Sequence, residues 1–332
     1  MFRSIMLTAA ATATAMLLAG FQSVPASAPP LTPALAALVE DAGAARAFDY
    51  MALKAEGVDL RAMSVAANLR PIRDGGRCLT DAEQEIVEGA AAAAEAADRA
   101  AFDDDRAAAA DAWSRWTLFA EGLENGQVVT EQPFSNVSQR YTWADEEASP
   151  RSRTLLRRAA RDQLYRQNWS AGAQIWSELS PGAEARVRIR MFRAGCEVDR
   201  DNTEWLKADV ATNGWFTLPA NGQRASSAAW LMAQHADRDR DFQRHVLALM
   251  EPLVETGEVS KGNYAYLWDR IAVAENRPQR YGSQGTCTAP GRWEPNTLEA
   301  PERVEALREW ADIGSLSQYQ ERMNTVCADF EG

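Results

Sequence analysis

The residues best suited to chemistry in this 332-residue chain lie between Trp230 and Gln284, a stretch that contains both of its histidines. His235 is followed closely by Asp237, and Asp269 and Arg270 stand further along the same stretch. A carboxylate can orient an imidazole and stabilise its charged form, so these groups are the minimum for general acid and base catalysis. We therefore take His235, Asp237 and Asp269 as catalytic candidates. The planar guanidinium of Arg270 is suited to an anionic substrate group.

Other chemistries lack their usual sequence patterns. Ser226 and Ser227 stand upstream of the histidine, but neither occupies the Gly-x-Ser-x-Gly turn of a hydrolase nucleophile. The alternating Asp237, Asp239 and Asp241 resemble the start of a calcium loop, but the glycine and the terminal glutamate of such a loop are missing. We predict no metal and no cofactor. The catalytic interpretation is a hydrolase or transferase that uses the histidine as general acid and base.

The same residues also fit a structural role. Buried polar groups are costly unless they are hydrogen-bonded, and a network between helices would satisfy His235 and pair Asp269 with Arg270. Under this alternative the protein is a non-catalytic binding module for a cell-wall glycan or a protein partner, and its polar cluster is structural. Aromatic rings would then hold the ligand, and the chain has eleven tryptophans. Four of them stand in or near loop-like sequence, namely Trp143, Trp169, Trp293 and Trp310. The sequence leaves enzyme and binding module both open.

Helices must position these groups. On one continuous helix, a core-facing stripe would recur at spacings of three and four. That stripe consists of Met232, His235, Asp239, Phe242, Val246, Leu249 and Leu253. Because two polar residues then face the core, either the stripe supplies their partners or the helix breaks near Ala236. We expect the loop from Gln279 to Gln284 to fold back over this helix and over the helix that contains Ala265 to Arg270.

Composition and periodicity predict an all-α fold, a multi-helix array of antiparallel helical pairs. Thr80 with Glu83 predicts a capping box that opens an alanine-rich helix, with Gly122 and Gly126 at its end. The polar segment near 125–150 predicts a small irregular region. We expect an N-terminal helical region at 27–148 and a C-terminal helical domain at 149–332.

Residues 1–26 are predicted to be a signal peptide. Arg3 precedes an uncharged apolar run from Ile5 to Gly20, and small residues follow around Ala26. The run is shorter than a membrane span requires, so we expect no stable membrane insertion after the signal is removed. A periplasmic or secreted location follows from this interpretation.

The four cysteines all stand after the predicted signal peptide. In an oxidising compartment an even number of cysteines indicates disulfides, and no Cys-x-x-Cys pair suggests zinc. We favour Cys287 with Cys327, since both belong to the C-terminal section, and therefore Cys78 with Cys196. The net charge of −12 disfavours nucleic acid as a partner, which leaves a small molecule, a glycan or a protein.

A series of motifs runs through the second half of the chain. They are RDQLYR (161–166), DNTEWLK (201–207), NGWFTLP (213–219), AAWLMAQHADRDRDFQ (228–243), AYLWDR (265–270) and PQRYGSQ (278–284). This series resembles a widespread family of bacterial proteins classed as a domain of unknown function, over about Arg153 to Tyr319. Ser283 stands where the family more often has threonine.

The resemblance implies a site without implying a reaction. Besides the catalytic candidates, it implies substrate-binding candidates, which are Arg270, Gln234, Gln243, Gln279, Tyr281, Gln284, Asp162 and Arg166. Gln163 also belongs to the family pattern.

Overall fold

The computed structural model describes residues 29–73, 76–167, 178–328 and 330. The predicted signal peptide and Trp169 lie outside these residues. The described part contains fourteen α-helices and one two-stranded hairpin, so the all-α prediction is confirmed. It divides into two compact units, an N-terminal unit at 29–201 and a C-terminal unit at 202–330. The boundary between 148 and 149 stays a prediction.

The described part of the N-terminal unit is built from α-helices. They are α1 (Pro33–Ala36), α2 (Ala42–Ala47), α3 (Tyr50–Ala55), α4 (Leu60–Arg73), α5 (Asp81–Glu95), α6 (Arg99–Glu124), α7 (Phe134–Glu146), α8 (Pro150–Arg166) and most of α9 (Pro181–Asn213). Helices α2, α3 and α4 all pack on α5. The predicted pairing of Cys78 with Cys196 is present, and both cysteines belong to this unit.

Local sequence signals set several of these helix ends. Thr80 and Glu83 form the predicted capping box at the start of α5. The alanine-rich helix is not continuous, however, because α5 ends at Glu95 and the side chain of Asp98 caps a new helix by accepting the N–H of Ala101 at 2.9 Å. A capping aspartate offers its own hydrogen bond to the backbone, which competes with helix continuation.

The segment expected to be irregular contains helix α7 after residues 125–133. Phe134, Val137, Tyr141 and Ala144 are buried at helical spacing along α7, and the first three belong to the core cluster that contains Trp116. An irregular segment is present at residues 125–133, but it is shorter than expected, because four core residues make 134–146 helical although polar residues surround them.

The C-terminal unit is organised around one central helix. Its elements are the end of α9, then α10 (Leu218–His235), α11 (Arg240–Glu255), α12 (Lys261–Ala274), β1 (Gly285–Ala289), β2 (Arg292–Pro295), a 3₁₀ turn (Pro301–Arg303), α13 (Val304–Ala311) and α14 (Leu316–Val326). Helices α10, α11 and α13 pack against α12. The hairpin packs on α14, and the predicted Cys287–Cys327 disulfide joins the two. None of the described helices combines the length and the apolar character that crossing a membrane requires.

Candidate functional site

The helix that contains His235 ends near Ala236, which is one of the two alternatives that the sequence left open. Helix α10 ends at His235, Ala236 has a ψ of 44°, and α11 begins at Arg240. Asp239 therefore does not join a core stripe. Its side chain caps α11 by accepting the N–H of Phe242 at 2.9 Å, and it forms an ion pair with Lys207. The break leaves Asp237 in the connection between two helices.

Asp237 forms a bidentate ion pair with Arg270 from α12. The Nε of Arg270 donates to Oδ1 of Asp237 at 2.7 Å, and its Nη2 donates to Oδ2. Arg270 is 6% exposed, whereas the aspartate side chain keeps 23% of its surface. Burial raises the pKa of Asp237, but the charge and hydrogen bonds of Arg270 outweigh burial and hold the pKa below its ordinary value. His235 and Arg240 act in the same direction.

Gln243 closes the same connection from the side of α11. Its Nε2 donates to the carbonyl oxygens of Ala233 and Gln234, both at 3.1 Å, and to Oδ1 of Asp237 at 3.3 Å. Its Oε1 accepts a hydrogen bond from Arg240. The fully buried amide thus satisfies carbonyl groups that the end of α10 leaves without helical partners. We call Asp237, Arg240, Gln243 and Arg270 the hinge cluster.

Asp269 directly precedes Arg270 on α12, but its carboxylate binds backbone N–H groups of the loop that follows the helix. It is fully buried, and its Oδ1 accepts the backbone N–H of Arg280 at 2.8 Å and that of Tyr281 at 3.1 Å. Its Oδ2 accepts the N–H of Ser283 at 2.9 Å. Burial raises the pKa of Asp269, and the backbone hydrogen bonds oppose that rise only in part. The expected pairing of Asp269 with Arg270 is wrong, because adjacent residues of a helix do not face each other.

Gln279 and Gln284 close the loop that Asp269 holds. The Nε2 of Gln279 donates to the carbonyl oxygens of Gln284 and Asn296, at 2.7 and 2.9 Å, and its Oε1 accepts the N–H of Gln284. Gly282 has a φ of 64°, a conformation that side chains disfavour. A Cβ at Gly285 would lie 2.2 Å from the carbonyl oxygen of Glu294, so only glycine fits there.

Arg308 is a further member of this group that the sequence analysis missed. It is fully buried, and it donates to three backbone carbonyl oxygens, those of Tyr281 at 2.6 Å, Gly314 at 2.7 Å and Ile313 at 3.2 Å. A usable signal existed, since Val304, Arg308 and Ala311 share the buried face of α13. We call Asp269, Gln279, Ser283, Gln284 and Arg308 the loop cluster.

Tyr281 contributes its ring to a row of four aromatic side chains. It stacks on Trp310 with ring centres 6.2 Å apart, meets Trp268 edge to face at 6.4 Å, and Trp310 in turn meets Tyr264. Burial raises the pKa of Tyr281 to about 12. Trp310 lies on α13 and is half-exposed, whereas Trp293 lies on β2, is 2% exposed and packs into the core.

The remaining candidates are buried or belong to the other unit. His235 and Gln234 are 2% and 3% exposed at the end of α10. The Oε1 of Gln234 has no hydrogen-bond partner among the described residues. In the N-terminal unit, the predicted pairing of Asp162 with Arg166 is present, with Nε donating to Oδ1 at 3.1 Å.

Asp237 and Asp269 each have a structural role in the C-terminal unit. Asp237 neutralises Arg270, and Asp269 organises a loop, so the predicted site residues separate into the hinge cluster and the loop cluster. This arrangement fixes the connection between α10 and α11 and the conformation of residues 279–284. The catalytic roles of His235, Asp237 and Asp269 stay predictions.

The C-terminal unit is thus a helical domain with two buried polar clusters, and sequence comparison assigns it to a family. The model of the Family of unknown function (DUF6624) matches residues 153–325, and the chain belongs to this family. Comparisons with curated proteins and with solved structures found no match.

Proposed function

We propose that the protein is an exported, non-catalytic binding protein, and that the polar residues of its C-terminal unit form the framework of a saccharide-binding surface. The observation that carries this proposal is the environment of Asp269. A general base must reach the proton it removes. The fully buried carboxylate of Asp269 instead accepts the N–H groups of Arg280, Tyr281 and Ser283. We therefore assign Asp269 a positioning role.

The framework supports a surface with aromatic and charged groups side by side. Trp268 and Trp310 are the half-exposed members of the aromatic row, whereas Tyr264 and Tyr281 are buried. The guanidinium of Arg280 lies 4.2 Å from the ring centre of Trp268, and the amine of Lys261 lies 5.3 Å from that of Trp310. Rings of this kind offer an apolar face at a wet edge, which suits the apolar face of a sugar ring.

The two arginines of this surface are paired with carboxylates, which favours an uncharged saccharide. Arg280 forms an ion pair with Glu299, and Arg277 forms one with Glu275. Paired guanidinium and carboxylate groups offer both donors and acceptors to sugar hydroxyls. Hydroxyls can use such groups without adding charge to the site.

Export of the chain is supported by its cysteines. Both disulfides join residues that are distant in sequence, and among the described residues no cysteine is free. Such pairs persist in oxidising compartments. The predicted signal peptide points to the same location, periplasmic or secreted.

The proposal is tested by binding of the mature chain to insoluble cell-wall glycan and to its soluble fragments. Arg280→Ala should weaken binding by about tenfold, because the residue lies on the Trp268 ring. Arg292→Ala is the matched control, since Arg292 is also exposed and paired with one glutamate, Glu294, but lies on the hairpin. Equal binding by both variants, or no binding by the wild type, would contradict the proposed surface.

The enzyme alternative and the binding proposal predict different effects of a change at His235. If this residue were a general acid and base, His235→Gln would abolish turnover of the glycan. Under the binding proposal, His235→Gln leaves glycan binding within about twofold of the wild type, because the residue is buried at the end of α10. Measured hydrolysis that disappears in this variant would favour the enzyme.

A further inference from the structure

A cavity of about 470 Å³ in the N-terminal unit has an unusual concentration of positive charge. Its wall is formed by α2, α5, α6 and α9. Five arginines line it, namely Arg46, Arg106, Arg186, Arg190 and Arg193, against two glutamates, Glu85 and Glu197. The whole chain has a net charge of −12, so this cavity differs in sign from the protein around it. We call it the arginine cleft.

Three of the five arginines are neutralised by carboxylates. Arg46 pairs with Glu85. Arg190 holds the buried Glu88 by a bidentate contact, with Nε to Oε1 at 3.0 Å and Nη2 to Oε2 at 2.9 Å. Arg193 forms ion pairs as well. These three arginines therefore have a structural role, since each is held by a carboxylate.

Arg106 and Arg186 have no carboxylate partner among the described residues. Both guanidinium groups lie on the ring of Phe102, at 5.6 and 4.7 Å from its centre. Arg186 is 2% exposed, and its Nε and Nη2 have no hydrogen-bond partner within the described ranges. Those two nitrogens form the side of the guanidinium that binds an oxoanion with two parallel hydrogen bonds.

An unpaired buried charge of this kind is costly to the fold. Burial lowers the pKa of Arg186 to about 10, with the positive charges of Arg106 and Arg190 adding to that effect and Glu88 opposing it. Removing one partner from a buried ion pair is strongly destabilising, and Arg186 resembles an ion pair without its anion. The cost is understandable if a ligand supplies the anion.

We propose that the arginine cleft binds a phosphate group, free or carried by a small organic molecule, through Arg186 and Arg106. A dianion matches two unpaired guanidinium groups. The cavity volume lies within the range of small-molecule sites. Trp113 lines the same cavity and offers an apolar wall to the organic part of such a ligand. This site is separate from the saccharide surface of the C-terminal unit and does not depend on it.

The test is titration of the full mature chain with inorganic phosphate, then with glucose phosphate and with free glucose, at constant ionic strength set by chloride. We expect saturable binding of both phosphate compounds, a rise of the thermal midpoint, and no response to glucose. Tighter binding of glucose phosphate identifies an organic phosphate as the ligand class, and equal binding identifies the phosphate group alone. No saturable response to either compound overturns the proposal.

Variants separate the site from a general charge effect. Arg186→Met should weaken phosphate binding by about tenfold or more while the ligand-free protein stays at least as stable as the wild type. Arg188→Met is the matched control, because Arg188 belongs to the same helix, is 51% exposed and pairs with Glu184. If Arg186→Met does not fold, Arg106→Gln on the half-exposed neighbour carries the test. Phosphate binding that survives in Arg186→Met, or in Arg106→Gln where that variant carries the test, overturns the proposal.

Discussion

At the scale of single residues, two aspartates of the C-terminal unit, the half-buried Asp237 and the fully buried Asp269, lie in opposite electrostatic environments. Asp237 faces the full charge of Arg270, and its pKa is lowered although burial acts against this. Asp269 faces peptide N–H groups, and burial raises its pKa because these dipoles compensate the lost hydration only in part. The first residue joins two helices, and the second fixes a loop.

The ion pair of Asp237 should carry measurable stability. We expect Asp237→Asn to lower the free energy of unfolding by about 2 to 4 kcal/mol, because it leaves the buried Arg270 without its carboxylate. Asp241→Asn is the control, since Asp241 is 91% exposed and pairs with Arg244, and it should change stability by less than about 0.5 kcal/mol. Urea denaturation compares the two variants. Equal losses of unfolding free energy in the two variants would mean that the pair of Asp237 with Arg270 contributes no more than an exposed pair.

The same pair should make the fold sensitive to acid. The pKa of Asp237 in the folded chain lies below its ordinary value of 3.8. Its contribution to stability is therefore present above pH 3.8 and is lost as the pH falls through the lower, folded-state pKa. Stability measured as a function of pH should show a shallower acid limb in Asp237→Asn than in the wild type. Parallel acid limbs in the two proteins would contradict this.

The sequence predicted which residues form this site better than it predicted which residues they contact. The sequence offered the break near Ala236 as one of two alternatives, and it singled out Asp237, Asp269 and Arg270 as polar groups that need partners. The pairing of Arg270 with Asp237 does not follow from the sequence, because it depends on how α12 packs beside the connection. Arg308 was missed since its partners are backbone carbonyl groups, which sequence does not label.

At the scale of elements, helix ends follow local capping groups, while helix interiors depend on packing. Thr80 and Asp98 mark starts that short-range hydrogen bonds decide. Helix α7 was missed because its four core residues stand among polar ones. At the C-terminus, the side chain of Ser315 caps α14 by accepting the N–H of Gln318 at 3.2 Å.

Two helical glycines should respond to alanine in opposite directions. A Cβ at Gly89 in α5 would lie 2.3 Å from the buried ring of Tyr50, whereas nothing lies within 4 Å of a Cβ at Gly195 in α9. Alanine favours a helix by about 1 kcal/mol over glycine. We therefore expect Gly195→Ala to stabilise by up to about 1 kcal/mol, and Gly89→Ala to destabilise by about 1 to 3 kcal/mol through overpacking. Thermal denaturation measures both, and a gain for Gly89→Ala would contradict the close contact.

At the scale of the whole molecule, each compact unit contains its own disulfide. The pairing was predicted because Cys287 and Cys327 both belong to the C-terminal section of the chain, which leaves Cys78 with Cys196. The arginine cleft was not predictable, since its arginines come from three helices and stand far apart in sequence. Only the fold brings them to one cavity.

Loss of one disulfide should weaken one unit more than the other. We expect the double change Cys287→Ser with Cys327→Ser to destabilise the C-terminal unit by about 3 kcal/mol, because the bond closes a loop with a sequence separation of 40 residues. Hydrogen exchange should then show reduced protection in the hairpin and in α14, with the amides of α5 unchanged. Equal loss of protection in both units would contradict independent stabilisation.

The buried polar residues of the C-terminal unit build its fold. Urea denaturation of Asp269→Asn at neutral pH tests this role most directly. An amide cannot accept all the hydrogen bonds that the carboxylate accepts from Arg280, Tyr281 and Ser283, so at least one buried N–H loses its acceptor. We predict a loss of about 2 to 3 kcal/mol in the free energy of unfolding. Unchanged or increased stability in Asp269→Asn would contradict the framework role and would favour the catalytic assignment of this residue.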